Sequence, residues 1–129
     1  MLRTFVAALV LTASFGVAAS AHHSYAAFDR EHPVSIEGEV TQVVYGNPHV
    51  VISVRAADAT YSVEWGNLNQ MDRWNVTKTT LATGDHVIVT GSVTYARTDH
   101  RLSIVTSIQR PADGWNWSRQ LPNVGGPSR

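Results

Sequence analysis

Six histidines are the residues best suited to chemistry in this chain, which has no cysteine. Three of them stand in informative contexts. His22 and His23 follow Ala19-Ser20-Ala21, a small-residue cleavage signal. Cleavage after Ala21 makes His22 the first residue, so that its α-amine and imidazole can chelate one metal together. Cleavage after Ala19 is the alternative. It leaves Ser20-Ala21-His22, and a histidine at position three is also a square-planar site. Amine and imidazole nitrogens suit Cu(II), Ni(II) and Zn(II), with copper favoured by the affinity order. The bland alternative is two exposed histidines that follow a cleavage site by chance.

The third is His49, in Tyr45-Gly46-Asn47-Pro48-His49. Glycine and asparagine tolerate positive φ, while proline fixes its own φ and pushes Asn47 towards an extended conformation. A rigid corner therefore delivers an imidazole to the start of the apolar run Val50-Val51-Ile52. The expectation is a joint site of His22, His23 and His49, with the N-terminal arm folded back along the fold. Copper is the expected metal; zinc and nickel rank below it, and no other cofactor is indicated. The competing reading makes the corner structural, with Tyr45, Asn47, Pro48 and Trp65 shaping a bend or a ligand face. Tyr45, Trp65 and Trp74 could line a concave surface beside it, although both tryptophans also fall on the apolar side of their elements. His32, His86 and His100 sit in polar settings that demand no ligand role.

Catalytic motifs are absent. There is no His-Glu-x-x-His pair, no Gly-x-Ser-x-Gly elbow and no acidic ligand set for calcium. Glu64 beside Trp65 has no evident partner. An enzyme is the third reading, behind metal carriage and a non-catalytic interaction or small-ligand module that binds an exported protein or small molecule.

The elements that must position these residues are short. Arg3 and the apolar stretch that follows it read as a secretory signal over 1–21, too short and too interrupted for a membrane span. Without it, nine basic residues face ten acidic ones, which is no electrostatic footprint for nucleic acid or anionic membrane. A periplasmic or secreted location is expected, with no membrane insertion after cleavage. Residues 22–33 read as an arm, 34–109 as the folded domain and 110–129 as a flexible tail in which Trp115 and Trp117 can dock.

Within 34–109, Val34, Ile36, Gly38 and Val40 alternate with polar residues, as a half-buried strand requires. Gly38 and the broken alternation near Val43-Val44-Tyr45 predict a bulge or bend. Val50, Ile52 and Val54, then Tyr61, Val63 and Trp65, predict a hairpin. Leu68, Met71 and Trp74 follow helical spacing, with Asn67 as N-cap. His86 to Tyr95 alternates again, with Val87, Val89, Gly91, Val93 and Tyr95 on the inward face, and Leu102, Ile104, Thr106 and Ile108 predict the last strand. Three strands, a short helix and two strands is the order of a mainly β, five-stranded OB-like Greek-key barrel. An open sheet with the helix on one face is the alternative.

Ala21-His22-His23-Ser24, Gly38-x-Val40, Asn47-Pro48-His49, Glu64-Trp65 with Gly66-Asn67-Leu68, and Leu81-x-x-Gly84-Asp85-x-Val87 together resemble a family of small exported bacterial proteins of unknown function. The resemblance covers about residues 21–109. Family members commonly carry Trp-Thr before Asn-Pro-His, where this chain has Tyr45-Gly46, and Ser-Pro-Asn where it has Gly66-Asn67-Leu68-Asn69. The resemblance implies export and a small β-rich fold, and no established activity.

Overall fold

In the computed structural model, which describes residues 25–119, six strands and one α-helix follow the arm. They are β1 (Val34–Val44), β2 (Val51–Ala56), β3 (Thr60–Glu64), α1 (Leu68–Arg73), β4 (His86–Val93), β5 (Arg101–Arg110) and β6 (Trp115–Ser118). The strand order is β3-β2-β1-β4-β5-β6, and a parallel pairing of β3 with β5, Ser62 on Arg101 and Val63 on Leu102, closes the first five into a barrel. That closure removes the open-sheet alternative. It leaves α1 between the third and fourth strands, in the order of an OB-type barrel.

The inward rows follow the alternation in the sequence. Val40, Ile52, Val54, Val63, Val87, Val89, Leu102 and Ile108 are fully buried. Gly38 in β1 lies against the backbone of β2. A Cβ there would meet the Arg55 carbonyl carbon at 2.6 Å and the Ala56 nitrogen at 2.9 Å. Two residues later the register with β2 shifts between Val40 and Gln42, so the expected irregularity falls slightly earlier than the broken alternation suggested. Helix α1 closes one end of the barrel. Asn67 caps it in a capping box with Gln70, and Met71 is fully buried in the core.

Three details differ from the sequence reading. In β5 the expected row of Leu102, Ile104, Thr106 and Ile108 is broken. Ile104 takes a left-handed φ of 50°, the β4–β5 register slips between Thr90 and Ser92, and Val105 is the buried residue instead. Two parity changes cancel, so Leu102 and Ile108 still face inward. Tyr95, expected inside, is 61% exposed because β4 ends at Val93. The segment after Arg110, read as tail, contributes β6, which pairs with β5 from Ser107 to Arg110. Trp117 on β6 is buried, 5.2 Å from the Trp65 ring and 4.8 Å from the Trp74 ring. A four-residue strand with polar neighbours has too little periodicity to stand out from a tail.

The described part of the arm, from Tyr25, is tied to the barrel by its backbone. Asp29 N–H donates to the Val93 carbonyl, Tyr95 N–H donates to the Ala27 carbonyl, and Phe28 forms a bridge with Thr94. Among the described residues no helix is long and apolar enough to cross a membrane.

Candidate functional site

The corner between β1 and β2 is built against α1. The Asn47 side-chain oxygen accepts a hydrogen bond from Leu68 N–H at 3.0 Å, and the Tyr45 hydroxyl donates to the Val76 carbonyl at 3.0 Å. The Asn47–Pro48 peptide is cis. Directly after the corner, Val50 N–H donates to the Gly66 carbonyl at 2.7 Å, and Trp65 N–H donates back to the Val50 carbonyl at 2.9 Å. His49, half-buried, therefore stands one residue from the point where β2 and β3 lock together. Trp65 lies in the core beside Trp117, and its Nε1–H is buried without a hydrogen-bond partner. Leaving such a donor unmatched costs on the order of 1–3 kcal/mol.

His22 and His23 lie outside the described residues. Of the expected ligand set the structure therefore describes His49 alone, and among the described residues no group of three histidine or carboxylate side chains could hold a metal. The other histidines are engaged elsewhere. His86 Nε2 pairs with Glu37 at 2.8 Å, and His32 Nδ1 with Asp29 at 3.0 Å. His100 takes φ 45° at the end of the turn Arg97–Asp99, with its ring edge-on to Tyr61.

Glu64, without a partner in the sequence reading, bonds Arg101 across the closing seam. The Arg101 guanidinium also lies 5.5 Å over the Phe28 ring, which fastens the arm to the same seam. Asp29 is the second fastening. It is buried, accepts from His32 N–H and ring, and takes a bond from Arg97 at 3.2 Å. Burial pushes its carboxyl up. The hydrogen bonds from His32 and the charges of His32 and Arg97 outweigh that and hold it below the usual carboxylate range.

A second polar group lies at the other end of the barrel, where Asp58, Tyr61, Arg97, His100 and Arg101 line one cavity. The Tyr61 hydroxyl donates to Asp58 at 2.8 Å. That bond raises the Tyr61 pKa and lowers that of Asp58. Sequence reading did not assemble this group. Its members come from the β2–β3 turn, β3, the β4–β5 loop and the start of β5, and the parallel β3–β5 closure makes them neighbours.

The fold is that of a small closed five-stranded β-barrel with one short helix between its third and fourth strands. The chain belongs to the family of unknown function DUF6152, whose model matches residues 9–102. No curated protein matches it.

Proposed function

We propose that this protein is an exported metal-binding module that carries or buffers a copper-type ion through His22, His23 and His49, after cleavage of a signal over 1–21. The route of the arm carries the reading. Phe28 stacks under Arg101, and Tyr25 shares a cavity wall with Ile104. Two residues on from the closing pair of Val63 with Leu102 stand Trp65 and Ile104. Trp65 is bonded through its N–H to Val50, the neighbour of His49. From Phe28 back to Tyr25 the arm passes from Arg101 to the neighbourhood of Ile104 on β5, the strand that pairs with β3. His23 is two residues, about 7 Å of extended chain, from Tyr25.

The chemistry supports copper in three respects. A freed His22 contributes an amine and an imidazole, and His49 adds a second imidazole. The chain has no thiolate to divert the site towards softer ions. The barrel holds His49 on a corner hydrogen-bonded to α1, which limits the rearrangement needed on binding.

The test compares copper and zinc titrations of the correctly processed protein with those of a form carrying one extra N-terminal methionine. The proposal expects the extended form to bind copper at least about tenfold more weakly, since its amine can no longer close the chelate with His22. Equal affinity removes the terminal amine from the site.

One observation favours a second reading, a non-catalytic interaction module whose histidines only clamp the arm. Tyr45 and Asn47 are both spent on bonds to the α1 region. Binding no tighter than about micromolar for either metal would favour it.

A further inference from the structure

The end of the barrel away from α1 and the corner holds a cavity of about 520 Å³, within the size range of small-molecule sites. Its walls come from the start of β1, the end of β2 and the β2–β3 turn, β3, the end of β4, the β4–β5 loop and the first residue of β5. Val34, Ile36 and Val93 supply an apolar side, and Tyr61 with His100, ring centres 5.5 Å apart, an aromatic one. Arg97 and Arg101 supply the charged donors.

The two arginines are held from behind. Arg97 donates through one terminal nitrogen to Asp29, and Arg101 through one to Glu64. Asp29 and Glu64 are buried or nearly so and lie outside the cavity lining, while the arginine side chains stay 57% and 41% exposed. A guanidinium has five N–H donors in a planar fork, so each keeps donors for a ligand. The two carboxylates on the wall are already engaged, Asp58 by the Tyr61 hydroxyl and Glu37 by His86. The two guanidiniums thus offer charged donors beside an apolar and aromatic surface, on a wall that also carries the Asp58 and Glu37 carboxylates.

We infer that this cavity binds a small organic monocarboxylate with an apolar or aromatic body. The carboxylate is taken by the spare N–H groups of Arg97 and Arg101, and the body lies on Tyr61, His100 and Val93. Bidentate recognition by a preoriented guanidinium suits a carboxylate. The site is separate from the histidine corner, so it stands whether or not the protein binds a metal.

The test is titration of the processed, ¹⁵N-labelled protein with benzoate, followed by amide resonances, with benzamide and benzylamine as neutral and cationic counterparts. The inference expects saturable shifts centred on Tyr61, Thr94 and His100 with benzoate, and at least about tenfold weaker binding of both counterparts. Arg97→Gln leaves the Arg101 bond to Glu64 in place and should weaken benzoate at least about tenfold. Absence of saturation below about 10 mM benzoate, equal binding of benzamide, or shifts centred elsewhere would each overturn it.

Discussion

Replacing Asn47 with alanine tests what the corner does for the fold. Its side-chain oxygen accepts from Leu68 N–H, the first helical residue of α1, at 3.0 Å. The first-turn N–H groups of a helix have no partner within it. Asn67 and Gln70 satisfy each other in the capping box, and Asn47 reaches from 21 residues away to serve Leu68. Loss of a side-chain cap costs about 0.5–2 kcal/mol. This bond is exposed, so water recovers part of it, and a loss near 1 kcal/mol is expected. For a domain of roughly 100 residues that lowers Tm by about 4–8 °C. Asn47→Asp keeps an acceptor and places negative charge at a helix N-terminus, so it should stay near wild type. Thermal unfolding followed by circular dichroism reads both variants. A Tm for Asn47→Ala within about 1 °C of wild type, or an equal loss in Asn47→Asp, would refute the clamp.

Gly38→Ala should destabilise the barrel by about 1–3 kcal/mol or more in urea unfolding, because the new methyl has only the Arg55–Ala56 backbone to enter. Trp117→Ala should cost about 3–5 kcal/mol, since it empties the space beside Trp65 and Trp74; a small effect would make β6 dispensable. Asp29 has a depressed folded-state pKa, so its stabilising contribution is present above its unfolded value of 3.8 and is lost as pH falls through the lower, folded one. Urea midpoints of wild type should therefore fall as pH drops below about 4, and Asp29→Asn should flatten that decline.

The barrel was legible because most of its strands alternate cleanly. Val50, Ile52 and Val54, or Val87 and Val89, can face only one way, and Asn67 with Gln70 marks the start of α1. In β5, backbone geometry overrides the side-chain pattern. Ile104 adopts a left-handed φ that a β-branched residue rarely takes, and nothing in its neighbours announces it. The candidate site was legible only as separate pieces. Asn47, Pro48 and His49 announce a rigid corner, but the bonds from Leu68 to Asn47 and from Tyr45 to Val76 join residues more than 20 apart. The Arg97 and Arg101 cavity was invisible for the same reason. Its residues become neighbours through a parallel strand pairing of two residue pairs, which no local spacing encodes.

The central claim is that His49 and the N-terminal histidines hold one metal. Its most direct test is calorimetric copper titration of the processed protein and of processed His49→Ala, with the apo-state Tm of each measured alongside. A joint histidine site gives one copper per chain in the wild type, with at least about tenfold weaker binding in the variant at an apo-state Tm changed by no more than a few degrees. Unchanged stoichiometry and affinity in His49→Ala would contradict it.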